Sequence, residues 1–195
     1  MIFAPDGRTI PFMDDSLHAS RSSARPIVLI GMMGAGKTTL GRALAHALGR
    51  EFVDLDARIE MEGGRTISKI FAEDGEPIFR AVEFAALLQC LQTDPRIVLA
   101  TGGGAACSES AWEALEESAD VVWLDASIDV LLARTGTASG RPLLDGVSDP
   151  RAVLGELLAL RRSWYARAAI RIPMDESSPD AGLSELLRHF GEETP

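Results

Sequence analysis

Residues 31–39 read GMMGAGKTT, directly after the apolar run at residues 27–30 and before a helical pattern. The spacing matches the phosphate-loop pattern G-x-x-x-x-G-K-[ST], which ends here on Gly36, Lys37 and Thr38. Glycines let successive backbone N–H groups point at phosphate oxygens, and the following helix adds the positive end of its dipole. Lys37 can reach the β- and γ-phosphates, and the Thr38 hydroxyl can coordinate Mg²⁺. We therefore predict that this stretch binds a nucleoside triphosphate.

Further short apolar runs, most of them followed by a helical pattern, continue along the chain. Three of them end on glycine or aspartate, which is typical of parallel strands whose carboxyl ends line a ligand site. We predict an α/β fold with strands at residues 27–30, 52–55, 97–100, 121–124 and 170–172. Helices are predicted at residues 37–48, 76–92, 108–117, 127–134 and 150–168, with two short helical pieces between residues 57 and 71. A closing helix places Leu183, Leu186, Leu187 and Phe190 on one face.

Two of the predicted helices have informative faces. The helix at residues 76–92 places Ile78, Val82 and Ala85 along one apolar side. The helix at residues 150–168 has an apolar stripe that includes Tyr165, and Arg161 falls on or beside it. A charged side chain on an apolar stripe is a candidate for a buried functional group.

Length and charge limit the classes of function. The chain has 195 residues, and we predict one domain at residues 26–195 after a flexible extension at residues 1–25. A formal net charge of -10 argues against nucleic acid or an anionic membrane as a partner, because both require clustered cations. The lysines are Lys37 and Lys69 alone, and the other cations are arginines, whose planar fork suits carboxylates and phosphates.

The cysteines and the apolar runs bear on location. Cys90 and Cys107 have no pairing or metal-binding pattern, so we predict two free thiols. The first residues do not resemble a signal peptide, and no run approaches the roughly 18 apolar residues that span a bilayer. We expect a cytoplasmic protein.

Polar or small residues follow the second and third predicted strands. Asp54 and Asp56 lie two apart, so on a strand they would face the same side. Such a pair suggests that one carboxylate helps to hold Mg²⁺ through water and the other accepts a proton from a hydroxyl; a solvated turn stays open. Gly102, Gly103 and Gly104 form either a simple turn or a place where a ligand approaches the backbone closely.

Four arginines are candidates for binding anions. Arg80, Arg134, Arg141 and Arg161 could each be ordinary surface residues. Arg141 lies in the small, polar and Gly-rich segment 135–146, as a mobile lid over phosphates would require. Arg161 has apolar neighbours on its helix, which favours a packed position over a solvated one.

An ordered series of motifs covers residues 27–190 and resembles that of shikimate kinases, which are P-loop small-molecule kinases of the nucleoside-monophosphate-kinase-like group. The F-R-x-x-E and triple-glycine motifs, in this order, separate that family from other small-molecule kinases. The motifs are GMMGAGKTT, FVDLD, IFAEDGEPIFRAVE with Arg80 and Glu83, TGGGA, RPLL with Arg141, and Arg161 four residues before Tyr165.

The resemblance implies a fold, a reaction and an organisation of the chain. The fold is a three-layer αβα arrangement with a five-stranded parallel sheet, a substrate-binding region at about residues 56–83 and a mobile lid at about residues 135–146. The reaction is ATP-dependent phosphorylation of the 3-hydroxyl of shikimate, with Mg²⁺, giving shikimate 3-phosphate and ADP for chorismate and aromatic amino acid biosynthesis. A monomer is expected.

The resemblance also implies a role for individual residues. The catalytic residues are Lys37, Asp56 and Arg141. The residues that bind ATP are Gly34, Ala35, Gly36, Lys37, Thr38, Thr39, Arg134, Arg141 and Ser178. The residues that bind shikimate are Asp56, Arg80, Gly102, Gly103, Gly104, Arg161, Phe71 and Phe79, with Glu83 orienting Arg80. Mg²⁺ is held by Thr38 and, through water, by Asp54.

Three other functions would also account for parts of the sequence. A kinase for another small hydroxylated acid, such as gluconate, would also use carboxylate-binding arginines. A P-loop regulator or GTPase is a different class, and a guanine-reading N-K-x-D motif is impossible because the chain contains no asparagine. A binding protein without activity would be expected to have lost Lys37, Asp56 or Arg141, and all three are present.

Overall fold

The structure is a computed structural model that describes residues 25–135, 147–175 and 179–191. Most of the predicted extension at residues 1–25, the predicted lid with Arg141, and Ser178 lie outside the described residues. The strands are β1 (Ile27–Ile30), β2 (Glu51–Asp54), β3 (Ile97–Ala100), β4 (Asp120–Asp125) and β5 (Ile170–Pro173). The helices are α1 (Lys37–Leu48), α2 (Leu55–Gly63), α3 (Ile67–Glu73), α4 (Glu76–Thr93), α5 (Glu109–Ser118), α6 (Ile128–Thr135), α7 (Pro150–Tyr165) and α8 (Pro179–Phe190).

The five strands form one parallel sheet in the order β2-β3-β1-β4-β5. β1 and β3 are buried along their whole length, as expected for apolar strands covered on both faces by helices. Val28 of β1 lies beside Leu99 of β3 and Val121 of β4. The predicted αβα fold is confirmed. It brings the residues that follow β1, β2 and β3 to one edge of the sheet.

Helix α1 follows the phosphate loop and packs on α8. Leu40 and Leu44 form its buried stripe, and Gly49 ends it with a φ of 62°, as the sequence predicts. On α8, a Cβ at Gly182 would stand 3.2 Å from Cδ1 of Leu40, so the two helices approach closely there. This packing fixes the first turn of α1 at the sheet edge.

The end of β2 differs from the prediction. The strand ends at Asp54 instead of residue 55, because the Asp54 carboxylate accepts a hydrogen bond from the backbone N–H of Ala57 at 3.3 Å and caps α2. Asp56 therefore lies in the first turn of a helix and does not share a strand face with Asp54. The prediction that strand alternation aligns the two carboxylates was wrong.

The packed face of α4 also differs. Ile78 and Val82 are 52% and 41% exposed, so the side predicted from them faces solvent. The buried side carries Phe79, Glu83 and Leu87. Apolar residues occur around most of this helix, and the periodicity could not reveal that a glutamate belongs to its packed side.

Candidate active site

The phosphate loop, residues 31–36, turns at the carboxyl end of β1. Gly31, Gly34 and Gly36 have φ angles of 135°, 80° and 101°, a range that residues with a side chain rarely adopt. A Cβ at Gly31 would stand 2.5 Å from the backbone oxygen of Leu124, so a larger residue does not fit. The loop leads into the N-terminus of α1, where the backbone N–H groups and the positive end of the helix dipole favour an anion.

Lys37 is folded back across this loop. Its Nζ donates hydrogen bonds to the backbone oxygens of Gly31 and Met32, both at 2.9 Å, and the residue is 9% exposed. Both acceptors belong to the loop itself, so the ammonium group is held at the place where phosphate oxygens are expected.

Thr38 and Asp54 form the next contact. The Thr38 hydroxyl donates to Oδ2 of Asp54 at 2.8 Å, while Oδ1 of Asp54 caps α2. The hydroxyl and carboxylate oxygens are hard ligands of the kind that Mg²⁺ prefers. The start of α1 and the end of β2 thus present a paired set of oxygens beside the loop.

Asp56 lies in the same cavity, in the first turn of α2. Burial raises the pKa of its carboxyl above the usual 3.8, and the positive charge of Lys37 opposes this shift. A raised pKa makes the ionised carboxylate a better proton acceptor. Asp56 therefore suits the role of a general base.

Arg80 is held on α4 by two glutamates. Its Nη1 donates to Oε2 of Glu83 at 2.5 Å, and its Nη2 donates to Oε1 of Glu76 at 3.0 Å. Glu83 is 2% exposed, and burial raises the pKa of its carboxyl although Arg80 opposes the shift. The guanidinium carbon also lies 6.0 Å from the ring centre of Phe71 and 5.2 Å from that of Phe79. These contacts fix the direction of the guanidinium.

Arg161 is a buried cation on α7. It is 8% exposed and forms no ion pair with a carboxylate among residues 25–135, 147–175 and 179–191. A buried charge without a counter-ion is costly, so such a group is suited to a ligand carboxylate. The sequence prediction that Arg161 belongs to the packed stripe of its helix is confirmed.

The three glycines after β3 each lie against a different functional side chain. A Cβ at Gly102 would stand 2.6 Å from Oε1 of Glu83, one at Gly103 would stand 3.1 Å from Nη1 of Arg161, and one at Gly104 would stand 2.5 Å from Cζ of Arg80. We call these glycines the glycine loop. A side chain at any of these positions would crowd a charged group of the protein itself, so the loop is more than a simple turn. That a ligand approaches its backbone closely stays a prediction.

These groups line one cavity of about 660 Å³. It joins the phosphate loop to the arginines of α4 and α7, and most of the described candidates line it. Four lining residues were not named as candidates. Met33 and Thr101 lie within the motifs GMMGAGKTT and TGGGA but were given no role, and no motif marks Glu60 and Ile67. The predicted residues that line it are Gly34, Gly36, Lys37, Thr38, Thr39, Asp54, Asp56, Phe71, Phe79, Arg80, Glu83, Gly102, Gly103, Gly104, Arg134 and Arg161.

Two further candidates are Arg134 and Ala35. Arg134 lines the cavity; its Nη1 donates to the backbone oxygen of Ala35 and its Nη2 to that of Met174, both at 3.5 Å. Ala35 lies within the phosphate loop and is fully buried. Arg141 and Ser178 lie outside the described residues.

The described residues also limit other kinds of site. Among them, no three His, Cys, Asp or Glu side chains cluster in a way that could hold a metal ion. No helix in the described ranges has the length and apolar composition needed to cross a membrane. Cys90 and Cys107 are free thiols, as predicted, and burial raises the pKa of Cys107 to about 11.

Comparison with known proteins identifies the family. A family model described as shikimate kinase matches residues 33–190. A shikimate kinase of Bordetella pertussis is 46% identical over 162 residues, which cover 83% of this chain and 76% of the relative. A shikimate kinase of Symbiobacterium thermophilum is 43% identical over 169 residues, covering 85% of this chain and 96% of the relative.

A solved structure agrees with these sequence matches. The shikimate kinase of Acinetobacter baumannii, solved in complex with shikimate, superposes with a TM-score of 0.82 at 37% identity. The match covers 89% of this chain and 97% of that protein. With a family model spanning most of the chain and relatives above 40% identity, this chain belongs to the shikimate kinase family.

Proposed function

We propose that this chain transfers the γ-phosphoryl group of ATP to the 3-hydroxyl of shikimate, giving shikimate 3-phosphate and ADP. In the cell this would be a step of chorismate and aromatic amino acid biosynthesis. The observation that carries the proposal is the joining of two half-sites in one cavity: a phosphate loop with Lys37, and an acceptor region with Asp56, Arg80 and Arg161.

The acceptor half-site matches the groups of a hydroxylated carboxylic acid. Arg161, buried and without an ion pair among the described residues, receives the carboxylate together with Arg80, whose direction Glu83 and Glu76 fix. The apolar ring faces lie beside Phe71 and Phe79, which line the same cavity. The glycine loop lines the same cavity and presents its backbone to the ring.

Asp56 is positioned to act on the hydroxyl. Its carboxylate accepts the proton from the 3-hydroxyl as that oxygen forms a bond to the γ-phosphorus. The bond between the γ-phosphorus and the β–γ bridging oxygen breaks, and ADP leaves with the electron pair of that bond. Lys37 moves from the loop carbonyls to the β- and γ-phosphates, where its charge stabilises the transferring group.

We further propose that Mg²⁺ is bound by the Thr38 hydroxyl and, through water, by Asp54. Their contact at 2.8 Å supports this role, because both oxygens are hard ligands and both line the cavity next to the loop. When bound with the nucleotide, Mg²⁺ would supply positive charge that offsets the negative charge developing on the phosphates.

The remaining assignments stay proposals. Arg141 would reach the transferring phosphate from a lid at about residues 135–146, and Arg134 and Ser178 would lie near the adenine. We also propose a monomer, a kinase domain at residues 26–195 that follows an extension at residues 1–25, and the absence of nucleic-acid and membrane partners. The net charge of -10 supports the absence of nucleic-acid and membrane partners.

An ADP-release assay with several acceptors tests the proposed function. Shikimate, gluconate and nucleoside monophosphates are each supplied with ATP and Mg²⁺. We expect turnover with shikimate alone. Turnover with gluconate and none with shikimate would instead support a kinase that acts on another small acid. ADP release at the same rate without any acceptor would show that the proposed acceptor half-site does not bind the acceptor.

A further inference from the structure

One buried hydroxyl stands between the two half-sites. Tyr165 is 1% exposed, its hydroxyl donates a hydrogen bond to the backbone oxygen of Gly103, and its oxygen lies 3.7 Å from Sδ of Met32. Gly103 belongs to the glycine loop and Met32 to the phosphate loop. A single side chain from α7 therefore touches both loops that the ligands must contact.

Each end of this bridge is one step from a ligand-binding group. On the nucleotide side, the backbone oxygen of Met32 accepts a hydrogen bond from Nζ of Lys37 at 2.9 Å. On the acceptor side, a Cβ at Gly103 would stand 3.1 Å from Nη1 of Arg161 and 3.6 Å from the backbone oxygen of Gly31. Groups that hold the phosphates and the carboxylate are thus connected through packed atoms.

The bridge has little freedom to move independently. The Tyr165 ring lies 6.0 Å from that of Trp123 on β4, and the Trp123 Cδ1 atom would be 3.5 Å from a Cβ at Gly31. Burial raises the pKa of Tyr165, so its hydroxyl keeps its proton at neutral pH and remains a donor. A close-packed group of this kind transmits displacements because its neighbours cannot be compressed.

We propose that Tyr165 is a positioning residue that couples nucleotide binding to acceptor binding. The proposal rests on the proposed function. When Lys37 leaves the backbone oxygens of Gly31 and Met32 for the phosphates, the phosphate loop changes its hydrogen bonding. The contact between Met32 and Tyr165 passes this change to Gly103, and hence to the space beside Arg161. Nucleotide-bound enzyme then binds shikimate more tightly than free enzyme.

The test is a binding cycle with the full-length chain. Calorimetry gives the dissociation constant of shikimate with and without saturating ADP and Mg²⁺, and the ratio is the coupling factor. We expect about 5 or more for the wild type and below about 2 for Tyr165→Phe. Linkage requires shikimate to change the ADP constant by the same factor. A wild-type ratio near one, or the wild-type ratio retained in Tyr165→Phe, would overturn the proposal.

Two further variants separate coupling from loss of stability. Ser108→Ala removes the hydroxyl that accepts from Ala111 N–H at the start of α5, so it lowers the melting temperature while leaving the ratio unchanged. Met32→Leu keeps Tyr165 but removes the sulfur at the other end of the bridge, and we expect an intermediate ratio. Loss of coupling in Ser108→Ala, or full coupling in Met32→Leu, would contradict the bridge.

Failure of the proposed function would look different from failure of this inference. Wild-type enzyme that neither binds nor phosphorylates shikimate would overturn the function, and the coupling proposal with it. Wild-type enzyme that phosphorylates shikimate, with equal coupling in wild type and Tyr165→Phe, would overturn the coupling alone.

Discussion

The carboxylates of Asp56 and Glu83 both lie against the side of Gly102 on which a side chain would stand. Oδ1 of Asp56 and Oε1 of Glu83 lie 2.7 Å and 2.6 Å from the position that a Cβ on that glycine would occupy. Oε1 of Glu83 has no hydrogen-bond partner among the described residues. The proposed base and the residue that orients Arg80 therefore share one narrow space, which exists only because residue 102 has no side chain.

Replacing Gly102 by alanine should disable the acceptor half-site. The new methyl group would displace both carboxylates, and a misplacement of about 1 Å can cost about 100-fold in rate. We expect kcat/KM for shikimate to fall by about that factor, while the dissociation constant of ADP changes little. Gly63→Ala is the matched control, because a Cβ at Gly63 meets nothing within 4 Å. Equal losses in both variants would contradict this reading.

Replacing Asp56 by asparagine should separate activity from stability. Loss of a general base typically costs about 10²- to 10⁴-fold in turnover, so kcat should fall by that order while ADP binding persists. At neutral pH the same change should raise the melting temperature, because burial disfavours the ionised carboxylate and asparagine carries no charge.

The pH dependence gives the sign of that stability difference. The folded-state pKa of Asp56 is raised above 3.8, so the group favours folding below 3.8 and loses this contribution as pH rises through the folded pKa. The advantage of Asp56→Asn in urea-unfolding experiments should therefore be larger at pH 8 than near pH 4. A variant less stable than wild type at pH 8 would contradict the assignment.

The pH profile of kcat/KM for shikimate should have an acidic limb set by Asp56. The base must be ionised to accept a proton, so the rate should fall as pH drops through a pKa above the usual 3.8. The residual activity of Asp56→Asn should lack this limb. The same limb in the variant would assign the ionisation to another group.

Replacing Arg161 by alanine should weaken shikimate binding selectively. A charged hydrogen bond is worth about 1.5–3 kcal/mol, so KM for shikimate should rise roughly 10- to 100-fold, with KM for ATP nearly unchanged. Arg162→Ala is the neighbouring control, since Arg162 has a 53% exposed side chain and its guanidinium carbon lies 5.5 Å from the ring centre of Trp123, away from the cavity lining. An equal rise in KM for shikimate and for ATP would contradict the proposal that Arg161 binds the shikimate carboxylate.

Replacing Thr38 by alanine should increase the requirement for Mg²⁺. The variant loses the hydroxyl that bonds Asp54, and we expect the Mg²⁺ concentration at half-maximal rate to rise roughly tenfold. Thr38→Ser keeps the hydroxyl and should remain close to wild type. A metal titration that is the same for Thr38→Ala and wild type would remove Thr38 from the metal site.

The central strands β1 and β3 could be predicted because the signal for each lies in a few neighbouring residues. β1 and β3 are short apolar runs that end at glycine loops, and both predicted ranges are confirmed. The end of β2 could not be predicted from local pattern. The Asp54 side chain accepts a hydrogen bond from the backbone N–H of Ala57, so α2 begins where the pattern would continue the strand. Strand alternation was then the wrong basis for placing Asp56.

Burial of charged groups was only partly predictable. Arg161 could be placed on the apolar stripe of its helix from spacing alone. The burial of Glu83 on α4 could not, because it depends on contacts with Arg80 and the glycine loop. The bridge at Tyr165 could not be predicted, because its partners Gly103 and Met32 are 62 and 133 residues away in sequence. Such contacts appear only when the sheet brings its strand ends together.

The most direct test of the central claim is the identity of the product. Shikimate, ATP and Mg²⁺ are incubated with the enzyme, and proton–phosphorus correlation NMR locates the phosphoryl group. The account predicts one phosphate ester coupled to the proton on carbon 3 of shikimate, formed together with an equal amount of ADP. A phosphate on another hydroxyl, or inorganic phosphate in place of the ester, would contradict it.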